Sequence, residues 1–323
     1  MNVIQLSSFW LPEQASTVAR EVDSAFYFVY WISAFFFVLI TGLIVWFAVR
    51  YRYRPGIREK ADPAPHHNLT LEVAWTVPPT LLVVAFFWVG FRGFMDLVTP
   101  PDNSYDVQVT GQKWNWLFTY PGGYVDPDLH VPVYVPIRLT LSSQDVIHSF
   151  FVPAFRVKRD VVPGRYAKAW FQAQKAGEYQ LFCAEYCGTS HSKMLSKVVV
   201  HEPGQFEHWL ADASNFLDKM SPEDAGKKLY EQRGCPQCHS VDGKPGTGPT
   251  FLGLFGSTQA ITAGGAVVAD ENYIRASILQ PAAQVVAGFE PVMPSFQGRL
   301  SDREIDAIIA YLKTLNAGGG GHP

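Results

Sequence analysis

Twelve residues, CAEYCGTSHSKM at positions 183–194, hold two cysteines, a histidine and a methionine, in a 323-residue chain that has only four cysteines. The spacing is Cys183-x-Glu185-x-Cys187-x-x-x-His191-x-x-Met194, and a further histidine, His148, stands upstream in DVIHSF. Thiolate and thioether are soft ligands and imidazole is intermediate. One cysteine, two histidines and a weak methionine make a blue-copper electron-transfer site. The second cysteine is one more than a single copper needs. Two other chemistries use part of the same set. A Cys183–Cys187 disulfide suits an oxidising compartment, but it leaves His148, His191 and Met194 without a role. A zinc site of two cysteines and two histidines uses four of the residues. Its cysteines are usually closer together, and Met194 has no part in it.

The other two cysteines stand in Cys235-Pro236-Gln237-Cys238-His239. C-x-x-C-H is the attachment signature of c-type haem: two thiols add to the haem vinyls and the adjacent histidine sits under the iron. Met/His ligation raises the potential of such a haem. Met220 and Met293 are the methionines in this part of the chain. Met220 precedes the haem helix, whereas Met293 stands in PVMPSF, a proline-fixed loop before the last helix. His239 and Met293 are therefore the expected axial ligands.

Both constellations need elements to position them. From about Ser104 to Glu202 the segments YDVQVTGQKWNWLFTY, VPVYVPIRLTLSS, DVIHSFFVPAF, GRYAKAWFQA, GEYQLFC and SKVVVHEP alternate apolar and polar residues between Pro and Gly. This is the pattern of an all-β sandwich or barrel. His148 is expected at the end of one β segment, and the twelve-residue loop between the last two strands. An upstream ligand with a late Cys/His/Met loop resembles the copper-binding cupredoxins. EPGQFEHWLADASNF reads as a connector with some helix. In SPEDAGKKLYEQRG, Ser221 caps a helix with Pro222 in its first turn. The last helix, SDREIDAIIAYLKTL, opens with the capping box Ser301-x-x-Glu304. Its Ile305, Ile308, Ile309 and Leu312 form one apolar face. The tail AGGGGHP reads as disordered, with His322 incidental.

The N-terminal part has a different solvent. Residues 26–49 carry no charge and as a helix span roughly 36 Å, enough to cross a bilayer. Residues 73–91, continuing past Arg92 to about Leu97, form a second run, whose Pro78-Pro79 pair is tolerated in a membrane helix. The competing reading is a pair of buried core helices. Between the runs stand Arg50, Arg52, Arg54, Arg58 and Lys60, against Arg20 with Glu13, Glu21 and Asp23 before the first run. The positive-inside rule makes the loop cytoplasmic and both termini external. No signal-peptide pattern precedes the first run. Neither run contains a histidine, so an intramembrane redox centre belongs to a partner. A net charge of -3 and the lack of a basic, aromatic-interleaved cluster argue against nucleic acid.

The order of the parts, together with QKWNW, DVIHSFFVPAFRVKRDVVPGR and the loop at 183–194, resembles subunit II of haem-copper cytochrome c oxidases. The appended cytochrome c resembles the caa-type variant. The resemblance covers nearly the whole chain and implies three units: a transmembrane hairpin, a cupredoxin-like sandwich and an all-α cytochrome c. The boundaries expected are an external segment at 1–23, the hairpin at 24–98 with its cytoplasmic loop at 50–72, and the copper domain at 99–203. A linker at 204–220, the cytochrome at 221–316 and a disordered tail at 317–323 complete the chain. The resemblance further implies a binuclear CuA centre bridged by Cys183 and Cys187. His148 and His191 would each bind one copper, with Met194 and the Glu185 carbonyl as weak ligands. The Glu185 carboxylate would help to hold Mg or Mn at the interface with subunit I. Trp114 matches an aromatic on the electron-exit side of CuA, and Glu72, in LEVAWT, matches a glutamate at the mouth of a proton path.

The function so implied is to pass electrons from an external donor, a cytochrome or a quinol-oxidising complex, through haem c and CuA to subunit I, which reduces oxygen. The partners are subunit I, other oxidase subunits and the bacterial cytoplasmic membrane, crossed more than once, with the copper and cytochrome domains periplasmic. A CuA-containing nitric oxide reductase subunit is the nearest alternative. A membrane-tethered copper chaperone or sensor is a more distant one, because it needs exchangeable copper.

Overall fold

The computed structural model describes residues 10–56 and 67–316. Arg58, Lys60, residues 1–9 and the tail at 317–323 with His322 lie outside the described residues.

Two long helices come first, α1 (Thr17–Arg50) and α2 (Leu69–Val98), the second continuous through Pro78 and Pro79. In the most apolar stretch of each, no residue is buried. Trp31, Phe37 and Trp88 are each about two-thirds exposed or more, at 66%, 70% and 64%. Each such side chain costs about 1.5–3 kcal/mol when left in water, so the core-helix reading fails and the pair requires an apolar solvent.

α1 starts earlier than its uncharged run. At 34 residues it is about 51 Å long, well beyond a hydrocarbon core of about 30 Å. The surplus first turns belong to the sandwich. Ser16 caps Ala19 and donates its hydroxyl to Phe155 O at 2.9 Å. Asp23, whose charge marks a run boundary in the sequence, is buried because Arg156 donates to its two carboxylate oxygens at 2.7 and 2.8 Å. At the same end, Trp170 Nε1 donates to Asp96 O, near the end of α2, at 2.9 Å. Both helices are thus pinned to the β domain.

The β domain is two five-stranded sheets face to face. One has β3 (Val125–Asp126), β2 (Asn115–Thr119), β1 (Tyr105–Gln112), β5 (Pro136–Ser143) and β8 (Ala167–Gln172) in that order. The other has β4 (Leu129–Pro132), β10 (Leu195–His201), β9 (Gly177–Cys183), β6 (His148–Val152) and β7 (Val157–Val161). The alternation in the sequence sets the inward faces: Val107, Val109, Leu139, Leu141, Phe150, Leu181 and Val198 are all sealed from solvent.

Two local details go beyond the sequence pattern. YDVQVTGQKWNWLFTY is two antiparallel strands turned at Lys113-Trp114, with Gln112 opposite Asn115. His148 opens a strand instead of ending one. One side chain is responsible for both. The Asp145 carboxylate accepts the backbone N–H of Lys113 at 2.7 Å and of Val146 at 2.6 Å, closing the turn and delaying β6.

The connector after the sandwich is mostly helical, α3 (Gln205–Ser214) and α4 (Phe216–Lys219). Phe206 is buried in the sandwich core, and Trp209 stacks on His130 with ring centroids 3.8 Å apart. His130 Nδ1 and His201 Nε2 share a hydrogen bond at 2.8 Å. Burial first, then the neighbouring His201, depress the His130 pKa from 6.5 to about 3. The unfolded chain therefore takes up a proton near pH 6.5 that the folded chain refuses. This contribution to stability is present above pH 6.5 and is lost as the pH falls toward 3, at up to about 1.4 kcal/mol per pH unit. The unfolding midpoint followed by tryptophan fluorescence should drop across that window in the wild type. His130→Phe should flatten the slope.

The last unit packs α5 (Pro222–Gln232) against α7 (Asp302–Thr314), with the short hairpin β11 (Thr258–Ala260) and β12 (Ala266–Val268) and the helix α6 (Glu271–Leu279) beside them. Ser301 and Glu304 form the expected capping box. Leu229 from α5 meets Ile305, Ile308, Ile309 and Leu312 from α7 in one core. The crossing is so close that a Cβ on Gly226 would lie 1.9 Å from Ala307 O.

Candidate metal centre and haem cleft

Strand β9 ends at Cys183 and β10 begins after Met194, so the loop between them returns over the end of the sandwich, where β6 starts with His148. His148, Cys183, Cys187 and Met194 are all buried. The Cys183 sulfur lies 3.9 Å from Cys187 Sγ, 3.9 Å from His148 Nδ1 and 3.2 Å from Glu185 O. The Cys187 sulfur lies 3.5 Å from His191 Nδ1 and 3.8 Å from Met194 Sδ. The loop therefore forms two donor groups around two central sulfurs. A metal about 2.3 Å from each thiolate fits between sulfurs 3.9 Å apart. The soft donor set is one that copper prefers.

Electrostatics favour cations here. Burial opposes both thiolates. At Cys183, hydrogen bonding from His148 and nearby groups outweighs burial and holds the thiol below its ordinary value. At Cys187, burial and the charge on Cys183 push the thiol up. Without a cation the pair accommodates one negative charge readily and a second poorly.

His148 is held in orientation by Asp145, whose Oδ1 lies 2.8 Å from Nε2, leaving Nδ1 toward the sulfurs. Burial alone would raise the Asp145 carboxyl, but hydrogen bonds from His148, Val146 and Lys113 hold it below the usual range. Such outer partners fix both tautomer and ring direction of a ligating histidine. Asp145 escaped the sequence reading. Its signal there is a carboxylate three residues before a candidate ligand.

Trp114 is buried and its indole N–H donates to Cys187 O at 3.2 Å. Its chain neighbours Lys113 and Asn115 line a second feature, an open cleft. The same cleft is lined by Cys235, Cys238, His239 and Met293. Met220 is absent from its walls and is 39% exposed.

His239 is fixed in place at the cleft. Its Nδ1 hydrogen bonds to Pro249 O at 2.8 Å, its ring stacks on Phe251 at 4.4 Å, and burial lowers its pKa, keeping the imidazole neutral. Gly248 leaves this ring its space, since a Cβ there would lie 2.6 Å from His239 Cε1. Asn115 Nδ2, Arg233 Nε and Ser277 Oγ are buried without a hydrogen-bond partner among the described residues, and all three residues line the cleft. A ligand with a large apolar face and polar edge groups matches that lining.

Two sequence candidates lie apart from these chemistries. The Glu185 side chain is exposed while its carbonyl faces Cys183. Glu72 stands in the first turn of α2, at the opposite end of the hairpin from the sandwich, where its carboxylate accepts the backbone N–H of Asn68 at 3.0 Å.

Known families match along the chain. Residues 4–92 match the transmembrane domain of cytochrome c oxidase subunit II, residues 123–202 the periplasmic domain of that subunit, and residues 223–316 cytochrome c. The cytochrome c oxidase subunit 2 of Thermostichus vulcanus is 35% identical over 269 residues, which cover 64% of this chain and 81% of that one. The subunit of the same name from Alkalihalophilus pseudofirmus is 32% identical over 293 residues, covering 87% and 81%. The solved periplasmic domain of subunit II of cytochrome oxidase from Bradyrhizobium japonicum is 33% identical, covers 36% of this chain and 98% of its own, and aligns with a TM-score of 0.35.

Proposed function

This chain belongs to the cytochrome c oxidase subunit II family, with a cytochrome c domain at its C-terminus, and from that premise we propose that it is the subunit through which electrons enter a caa-type terminal oxidase. The observation that carries the proposal is the β1–β2 turn, which touches both constellations. Trp114 bonds to the Cys187 carbonyl, while Lys113 and Asn115 line the cleft of Cys235, Cys238, His239 and Met293.

His148, Cys183, the Glu185 carbonyl, Cys187, His191 and Met194 would hold a binuclear CuA. Cys235, Cys238, His239 and Met293 would hold a covalent haem c. When bound, these groups supply one-electron carriers between an external donor and the catalytic subunit I, which reduces oxygen. The chain's own part is positional. Asp145 orients His148 and ties it to Lys113 N. The sandwich holds the sulfurs in a rigid frame, which limits rearrangement when charge changes. Trp114 bonds to the Cys187 carbonyl from a turn whose residues 113 and 115 line the cleft, which supports a relay role for it beside the copper ligands.

The hairpin would cross a bacterial cytoplasmic membrane twice, with the basic loop inside and both other domains in the periplasm. The exposed Glu185 carboxylate remains available to Mg or Mn at the interface with subunit I. For Glu72, helix capping accounts for the side chain, and a proton-path role rests on the family resemblance.

The test is purification with partner subunits. The complex should contain a haem-copper subunit, show c-haem bands with near-infrared copper absorption, and consume oxygen with a reduced external donor. Consumption of nitric oxide in place of oxygen would move the chain to a nitric oxide reductase. A colourless, zinc-loaded chain would sink the assignment.

A further inference from the structure

The cytochrome domain is joined to the sandwich by more than its connector. On one side of the cleft, Gln232, the last residue of α5, donates Nε2 to Asp126 Oδ2 at 3.2 Å and lies 3.1 Å from the Tyr124 hydroxyl. That hydroxyl donates to the same Asp126 oxygen at 2.6 Å. On another side, Arg299, six residues after Met293, donates Nη1 to Gln112 Oε1 at 2.7 Å. Between these contacts the surfaces interlock. Gly234, directly before Cys235, packs on Asn115 so closely that a Cβ would lie 2.3 Å from its Nδ2. Cys238 packs against the sandwich core.

The character of this interface differs from that of a transient redox encounter, which is small and wet. Gln112, Asn115, Asp126 and Gln232 are 2%, 8%, 7% and 9% exposed. Three of these find partners in the other domain, and the fourth fills the space left by a glycine. Buried polar groups paired in this way specify one arrangement, because any shift leaves them unsatisfied. Among the described residues no ion pair within 4.0 Å crosses from the sandwich to the cytochrome unit; Arg299 and Asp145 attract across it at longer range, while the direct contacts are hydrogen bonds and close packing.

We infer that the Gln232–Asp126–Tyr124 cluster and the Arg299–Gln112 bond form a permanent latch. It keeps the Cys235–His239 loop against the β1–β2 turn in one docked geometry, so that the cytochrome domain is a fixed donor and not a swinging one. The inference rests on the function proposed above for its consequence, though not for its geometry.

The experiment compares the intact oxidase complex with its Gln232→Leu/Arg299→Leu variant, neither residue being a ligand. Amide hydrogen exchange reads docking directly. In the variant, exchange at residues 112–116 and 232–235 should rise on the order of tenfold or more, as expected for the loss of three hydrogen bonds. Flash-initiated electron transfer between haem and copper reads the consequence. In the wild type its rate should not change with glycerol viscosity, nor between about 0.01 and 1 M salt, where the screening length falls from roughly 30 to 3 Å. In the variant it should slow on the order of tenfold and become viscosity-dependent, with haem and near-infrared spectra intact. A wild-type rate that falls with viscosity or salt overturns the latch. So does a variant with unchanged exchange and rate. Absence of the copper band in the wild type would instead defeat the functional reading, and the exchange comparison would still decide whether the domains are latched.

Discussion

Cys187→Ser should abolish the binuclear copper signal and leave the covalent haem in place. Cys187 is the better connected of the two sulfurs to the late loop: His191, Met194 and Cys183 all lie within 3.9 Å of it. A serine oxygen is a hard donor that does not replace a bridging thiolate. It would leave His191 and Met194 without the sulfur they share. The proposed haem attachment, Cys235 and Cys238, stands in a different unit with its own core, so c-haem bands should persist. Turnover with the external donor should fall by at least the 10–100-fold (order of magnitude) seen when even an outer partner of a metal ligand is lost. The variant is read by near-infrared absorption, c-haem absorbance and oxygen uptake on one preparation. Unchanged oxygen uptake would mean that electrons do not pass by way of this loop.

Gly226→Ala should have the largest effect on the cytochrome domain. Two terms compete. Alanine favours a helix over glycine by about 1 kcal/mol. Against this, the new Cβ would lie 1.9 Å from Ala307 O and 2.7 Å from Tyr311 Cβ. The first of these atoms is backbone and has no rotamer to change, so α7 must move bodily from α5. Overpacking of this kind typically costs about 1–3 kcal/mol or more, and here the whole crossing shifts. Sterics should win, lowering the thermal midpoint by on the order of 10 °C. Because α5 leads into the Cys235 loop and Ile308 and Leu312 of α7 line the cleft, the yield of covalently attached haem should fall as well. The Soret band, followed through a thermal melt, measures both. A variant as stable as the wild type would show that the helices do not cross so closely.

The sequence made visible what is encoded contiguously. The loop at 183–194, the C-x-x-C-H pentapeptide, the capping box at Ser301 and the two uncharged runs each carry their meaning within a dozen or two residues, and the elements around them follow the expected order. What stayed hidden depends on partners distant in the chain. Asp23 looks like the end of an apolar run because its countercharge, Arg156, is 133 positions away. The break in the QKWNW segment depends on Asp145, 32 positions on. Trp114 suggested its type but not its neighbours, because only the folded chain brings residues 113 and 115 to the cleft. The contacts of Gln112 with Arg299 and of Asp126 with Gln232 span 187 and 106 positions. Glutamines carry no periodicity or motif that would flag them.

The central claim is that one chain holds two coppers sharing an electron beside a covalent haem. Electron paramagnetic resonance of the purified, copper-loaded full chain, with the haem fully oxidised, tests it most directly. A copper hyperfine pattern from one unpaired electron shared equally between two copper nuclei is expected, lost in Cys187→Ser. The pattern of a single copper nucleus, or no copper signal in a chain that has taken up zinc, would contradict it.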